Sequence, residues 1–505
     1  MGASRKVLVV LGAAAAVLVV LWFALLGRGP EPLALVAEPQ RDLLLEVEEP
    51  LALLEVAGEW LRRAGAPGLP GELPAPVAFL AGISRLAVAV DLPAGEGEPS
   101  FLAAVKAGRL AQLVGKVLLG REREMEDGLR VYRFGCTFAF QKGEDYRVGE
   151  ADRLPELPAG RLRLLVHPCR IEQRLDLVVD RRLLGALRVP WPMREFAAGV
   201  DIDRRAVTCR ARGEFPPARC GERVRRAMEG GPQAPLAAEY YDAASTILAV
   251  SWVAPVAADL GALFASEFWP QDALLQLRYR AEVGRFLREV LPRALGRRAA
   301  LLVYRQGNRI GPGYPGVVLV FELREERGLE EDLRLLLGAV SRGVVGGERP
   351  PPADFPYFER REAAGGLPAH YLYYSDMMRP REGYQPVLAL AGGRLVYASS
   401  PAVFRRLWEA PGLAGAEPAH LWLRYRNQGE ESFRQLHALY RYLLEETLTA
   451  RPKGVQLSDR TDYEEVFREV SGWLRALEGL EARVVFTSGG AFRLWAEARA
   501  AGKEE

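Results

Sequence analysis

The sequence predicts an α+β protein, with an N-terminal transmembrane helix followed by two related halves of antiparallel sheet with helices packed on one face. Three observations carry that expectation. An uncharged apolar run of 20 residues, Val7 to Leu26, stands near the start. Further along, apolar positions alternate with polar ones and glycine-bearing turns join the segments, the pattern of antiparallel hairpins with one buried face. Finally, one grammar recurs, a hairpin or strand pair followed by a helix.

With about 100 to 200 residues per domain, the 505 residues have room for several cores. Hydrophobic residues at 49% and charged residues at 26% exclude a disordered or collagen-like chain. A formal charge of +2 excludes a chain that wraps a polyanion along its whole length.

Taken in order, residues 1–27 form a cytoplasmic stub and anchor. The run 7–26 spans about 30 Å of hydrocarbon as a helix. Arg5 and Lys6 precede it, so the positive-inside rule keeps that end in the cytoplasm and exports the rest. The run exceeds the 7 to 15 residues or so of a cleaved signal, which favours an uncleaved anchor. No cysteine directly follows it, which removes the lipoprotein reading. Residues 28–40 form a proline-bearing linker, 41–270 a first α+β half, 271–500 a second, and 501–505 a polar tail.

Within the first half, LLLEVEE (Leu43 to Glu49) reads as a strand. Pro50 suits a first helical turn, and Leu51, Leu54, Ala57 and Leu61 recur at helical spacing until Gly65 and Pro67. The run 77–92 reads as strand-like, and Ser100 as the N-cap of a helix FLAAVKAGRLAQLVGKVLL. A second apolar stretch, Thr246 to Ala265, is broken by Pro255 and carries Asp259, so a buried strand followed by a helix explains it better than a second crossing.

In the second half, AALLV (Ala299 to Val303) and VVLVFELRE lead into a helix GLEEDLRLLLGAV. VLALAGGRLVYASS, with Gly392 and Gly393 at a two-residue turn, leads into PAVFRRLWEA. AHLWLRYRN precedes a helix ESFRQLHALYRYLLEE. The chain closes with a helix from Tyr463 to Leu477, opened by a capping box at Thr461 and Glu464, and the hairpin ARVVFTSGGAFRLWAEARA.

Four cysteines, Cys136, Cys169, Cys209 and Cys220, contain no CxxC pair, so no zinc ribbon or thioredoxin-like motif is present. Possible disulfides are Cys209 with Cys220, across a turn-rich segment, and Cys136 with Cys169, as an oxidising compartment would allow. Four free thiols are the alternative.

Catalytic signatures are missing from the sequence. The one G-x-G-x-x-G match, Gly311 to Gly316, precedes a strand rather than a helix, and two prolines remove backbone donors, so it reads as a turn. His167, His370, His420 and His437 show no metal-ligand spacing. Pro168 and the expected disulfide argue against a nucleophilic couple of Cys169 with His167. Acid clusters at Glu122, Glu124, Glu126 and Asp127, and at Glu325, Glu326, Glu330, Glu331 and Asp332, read as solvated ends, the latter opening a helix where the macrodipole favours them. No catalytic, cofactor-binding or metal residues are expected, and no cofactor.

From Arg161 to Arg226 there are 16 arginines, no lysine and 8 acidic residues, a local excess of 8 positive charges. Guanidinium forks there suit an anionic envelope partner. Yet the chain carries 61 arginines and 6 lysines overall, so outward-facing arginine on strands is the simpler reading. Nucleic acid is not an expected partner, since no stacking motif accompanies the charge.

The segment Ala391 to Leu407, AGGRLVYASSPAVFRRL, combines a small turn, an apolar strand, a serine pair and a short helix. With the N-terminal run, it resembles a group of uncharacterised bacterial membrane-anchored exported proteins built from duplicated α+β units. That resemblance implies an address and a fold, and it brings no catalytic residues. The sequence therefore points to a single-pass protein of the cytoplasmic membrane, its bulk extracytoplasmic or periplasmic, that binds or scaffolds. Its expected partners are the lipid bilayer through residues 7–26 and an envelope protein or anionic envelope component. An extracytoplasmic hydrolase with a carboxylate site between the halves, or an accessory subunit of a transport or secretion assembly, are the alternatives.

Overall fold

A computed structural model describes residues 30–37, 41–63, 83–92, 99–107, 122–124, 128–134, 136–143, 155–167, 194–214, 230–253, 285–307, 313–333, 335, 358–362, 368–372, 387–449, 471–487 and 489–501. The chain forms two compact units, residues 1–219 with 491–493, and residues 220–490 with 494–505.

The first unit is an antiparallel sheet. Its strands are β1 (Leu43–Glu48), β2 (Ile83–Asp91), β3 (Ser100–Ala107), β4 (Glu122–Glu124), β5 (Arg130–Phe134), β6 (Thr137–Lys142), β7 (Leu162–Val166), β8 (Glu195–Ile202) and β9 (Ala206–Glu214). Their spatial order is β4-β5-β6-β3-β2-β1-β7-β8-β9. One face is kept low by Ala87, Ala89, Ala104, Ala139 and Ala197, all fully buried. Small residues let another segment lie close, and a strap containing α1 (Pro32–Val36) does so, burying Leu33, Leu35, Val36 and Ala37 in the same cluster. A five-residue helix has no stability of its own, so this packing is what holds it. Glu31 fastens the strap through Arg85 (2.9 Å) and Lys106 (2.5 Å), and Thr137 donates its hydroxyl to the Pro30 carbonyl (2.6 Å).

A second segment, residues 155–160, crosses the sheet at Gly199, where a Cβ would collide with the Pro158 and Ala159 carbonyls. After β1, Glu49 adopts φ 49° and turns the chain into α2 (Pro50–Arg63). Trp60 of α2 is buried and donates its indole N–H to the Asp203 carbonyl in the β8–β9 turn (2.8 Å).

The second unit contains β10 (Thr246–Val253), β11 (Leu295–Tyr304), β12 (Gly316–Leu323), β13 (Phe358–Glu362), β14 (Pro368–Leu372), β15 (Val387–Ala391), β16 (Arg394–Ala398), β17 (Leu421–Arg426) and β18 (Leu477–Phe486). They order as β13-β14-β15-β16-β12-β11-β10-β17-β18, each neighbouring pair antiparallel. The chain then turns into β19 (Ala491–Ala500), whose residues 494–500 belong to this unit. Gly392 and Gly393 sit at φ 57° and 70°, the two left-handed positions that a type I′ turn demands between β15 and β16. Ser400 caps α4 (Pro401–Glu409) by accepting from the Val403 N–H (3.3 Å), with Pro401 in the first turn.

The expected helix-packed α+β class is corrected by this architecture, which is mostly antiparallel sheet with few helices among the described residues. Nor do the helices keep to one face. In β12 the run VVLVFEL is apolar on successive positions, so both its faces need cover. Val403, Phe404 and Leu407 of α4 share a core with Val318 and Val320. Phe286 and Val290, with Leu291 and Ala294 of α3 (Leu291–Ala294), share another with Leu319 and Phe321, which alternation places on the opposite face. The expected helix starting at Ser100 is a strand instead. Its alanines are good helix formers locally, but residues 100–107 ladder to β2 on one side and β6 on the other, and tertiary pairing overrides propensity. The expected N-terminal transmembrane helix is not among the helices of the described residues, none of which is long and apolar enough to cross a membrane. Residues 7–26 lie outside those described, as do 334 and 336–340 of the helix expected at 328–340 and 463–470 of the one expected at 463–477.

Candidate functional site

Within the second unit, β17, β18 and β19 build a polar cleft of about 160 Å³ lined by Arg424, Arg426, Gly479, Glu481, Trp495 and Arg499 together with Tyr425, Glu478, Leu480 and Glu497. The local sequences explain its chemistry. In LWLRYR the side chains alternate across the sheet, so Trp422, Arg424 and Arg426 share one face while Leu421, Leu423 and Tyr425 share the other. Tyr425 is buried with Leu436, Leu474 and Leu480, helped by its hydroxyl donating to the Leu474 carbonyl (3.1 Å). Leu436 comes from α5 (Glu430–Thr449), the expected helix after this strand. Burial pushes the Tyr425 phenol well above its ordinary range, so it stays neutral.

Rows of cross-strand neighbours organise the other face. Trp422 stands opposite Arg483, Arg424 opposite Glu481, and Arg426 opposite Gly479. In the first row, Arg483 lies over the Trp495 ring at 4.3 Å and is ion-paired with Glu417. In the second, Glu481 accepts from the Trp422 indole (3.2 Å) and pairs with Arg424 (3.4 Å), whose guanidinium also lies over the Tyr241 ring at 5.1 Å. The third row differs. Gly479 offers Arg426 no side chain, and Arg426 has no ion-pair partner among the described residues. Arg499 lines the same cleft and pairs with Glu497 (2.6 Å). Hydrogen bonding to Glu497 is the first of the influences that raise its pKa.

Elsewhere the charged clusters are closed. Glu46 is buried to 1% exposure on β1 and faces Arg163 of β7 at 2.8 Å; burial raises its pKa, with Arg163 and Arg85 opposing. Arg163 and Arg85 both reach Glu48 at 3.1 Å, continuing the network to the Glu31 strap. In the second unit, Glu322 holds Arg298 through its Nε and Nη2 (2.9 and 2.7 Å), and Glu239 joins Arg298 to Arg394. These networks tie strands together.

The residues singled out in the sequence are scattered. Cys136 is buried just before β6, and Cys209 is half-buried on β9 opposite Val200, where burial raises its thiol pKa. Cys169 and Cys220 lie outside the described residues. His420 is buried at the start of β17, and its Nδ1 accepts from the Phe486 N–H (3.0 Å), so the neutral ring carries its proton on Nε2. Burial and Arg297 lower its pKa. His167 follows β7, with its backbone N–H donating to the Asp42 carbonyl; His437 is exposed on α5 and His370 lies on β14 opposite Leu388. No three potential ligands come together to hold a metal among the described residues. Of the acid clusters, Glu325, Glu326, Glu330 and Glu331 are exposed, and Asp332 pairs with Arg285 (3.4 Å). Glu122 and Glu124 stand on β4, while Glu126 and Asp127 lie outside the described residues. In the arginine-rich stretch, Arg210 and Arg212 of β9 face outward while Ala211 and Gly213 are buried. Sequence reasoning missed the cleft. Its signal was the arginine at alternate positions of LWLRYR, read only as strand periodicity.

Comparison with known proteins adds no family. No protein-family profile matches the chain, and no curated protein matches it. Solved structures include two crystal forms of TP0453, at 12% and 11% identity with TM-scores of 0.23 and 0.22, covering 36% and 37% of this chain and 80% of theirs. The β subunit of the DNA polymerase of Streptococcus pyogenes aligns at 8% identity with a TM-score of 0.10, over 76% of this chain and 92% of its own. Scores of this size carry no argument about fold or function.

Proposed function

We propose that this chain is a binding or scaffolding protein of the cell envelope, extracytoplasmic in its bulk and held to the lipid bilayer through residues 7–26. The observation that carries the reading is the order of Arg5 and Lys6 before 20 uncharged apolar residues, which retains the charged end in the cytoplasm. Binding rather than catalysis is supported by where the unusual acid lies. Glu46, the described carboxylate whose pKa is raised, is buried in an ion-paired network, whereas the open cleft presents guanidinium groups suited to recognition.

Protease added to the outer side of spheroplasts tests the address. Digestion of residues beyond 41, with the N-terminal fragment staying in the membrane, is the expected outcome; an intact, freely soluble chain in the cytosol overturns it. Crosslinking in intact cells tests binding, and an absence of any crosslinked partner removes its support.

A further inference from the structure

We propose that the cleft lined by Arg426, Gly479 and Arg499 is a binding site for an oxyanion group, a phosphate or carboxylate carried by a small molecule or a lipid headgroup. The inference deepens the binding role above and rests on it for biological meaning, while its chemistry stands on the local geometry. Along β17 the arginine at 424 is matched across the ladder by a carboxylate, Glu481, which the Trp422 indole also engages. Two residues on, Arg426 is matched by a residue without a side chain. The guanidinium is exposed and has no ion pair among the described residues, yet it lines a concavity rather than a convex edge.

Arg499 brings a second guanidinium to the same cleft, its Nε engaged by Glu497 (2.6 Å). Guanidinium forks present several donors in a plane and match oxyanions bidentately. The cleft also holds acids that limit what enters. Glu481 is committed to Arg424 and Trp422, Glu497 to Arg499, and Glu478 is exposed on the rim beside Arg499. With these acids close by, a ligand of one oxyanion group fits better than a polyanion, and about 160 Å³ accommodates a group of that size.

The test titrates the full-length chain, in micelles of a neutral detergent at low ionic strength, with inorganic phosphate by calorimetry. Saturable binding is expected. Arg426→Gln and Gly479→Glu, the second placing a carboxylate where the anion would sit, should each weaken it at least fivefold, while Arg210→Gln on β9 leaves it unchanged. Circular dichroism confirms that each variant is folded, and Arg499→Gln serves if Gly479→Glu is not. A parallel titration with dihexanoyl phosphatidylglycerol, below its micelle concentration, separates the sources. Tenfold tighter binding than phosphate, lost in Arg426→Gln, assigns a lipid headgroup; equal binding assigns a soluble oxyanion. No binding of either probe, or equal losses in Arg426→Gln and Arg210→Gln, overturns the proposal. Such a failure leaves the envelope address standing, because protease accessibility reads that independently.

Discussion

Trp60 and Asp203, 143 residues apart in sequence, are joined by a hydrogen bond of 2.8 Å from the indole Nε1 to the backbone carbonyl. The bond fixes α2 against the turn between β8 and β9, and it is made by a side chain only 5% exposed. Trp60→Phe should therefore cost about 1 kcal/mol, the net value of one such bond. Trp60→Ala should cost about 3 kcal/mol or more by leaving a cavity as well. Urea unfolding followed by circular dichroism separates the two; a Trp60→Phe cost near zero would mean that the hydrogen bond contributes nothing.

Glu46 and Arg163 should respond to substitution asymmetrically. Burial lifts the Glu46 carboxyl above its ordinary value, so its ionisation weakens the fold as pH rises from the unfolded pKa through the folded one. Glu46→Gln should leave stability at pH 7 unchanged or higher and flatten that part of the pH profile. Arg163→Gln leaves a buried carboxylate without its nearest cation and should cost about 2 kcal/mol, less than a fully buried pair because Arg163 is partly exposed. The same unfolding experiment at several pH values reads both.

The strap has the opposite sign. Partial burial raises the Glu31 carboxyl, but Lys106 and Arg85 together hold it below its ordinary value of 4.5. Its contribution is present above the unfolded pKa and is lost as pH falls through the lower folded one. Protection against hydrogen exchange at residues 33–37, taken relative to the intrinsic rate at each pH, should fall on acidification below about pH 4.5, and Glu31→Gln should show the lower protection already at pH 7. Exchange that is unchanged in Glu31→Gln would sever the ion pairs from strap closure.

Backbone conformation predicts two contrasting outcomes. Glu49 occupies the left-handed region, which costs a non-glycine residue about 1 to 2 kcal/mol, partly returned by the entropy that glycine loses on folding. Glu49→Gly should be neutral or stabilising by up to about 1 kcal/mol. Gly199→Ala should destabilise by about 2 kcal/mol or more, since its Cβ meets two carbonyl oxygens that cannot yield without moving residues 158–159. Thermal midpoints of the two variants decide both.

Much of the sheet was legible wherever alternation and turn chemistry agreed. The Gly392–Gly393 hairpin, the strand from Thr246 to Val253 and the strand from Leu421 to Arg426 follow from period-two burial and the residues that left-handed turns require. The segment from Ser100 to Ala107 was not legible, because an alanine-rich run satisfies a helix and a two-sided strand equally, and only the neighbours β2 and β6 decide. The cleft was hidden for a related reason. Which arginine meets a carboxylate and which meets a glycine depends on the register between β17 and β18, separated by some fifty residues of chain.

Because the strap grips β2 and β3 through Glu31 before the chain enters β1, tension arriving at residue 30 is delivered first to Arg85 and Lys106 and only then to the β1 backbone. The first mechanical event under load is therefore detachment of the strap by rupture of side-chain contacts. The ladder of described strands behind it stays zipped until that clasp has let go.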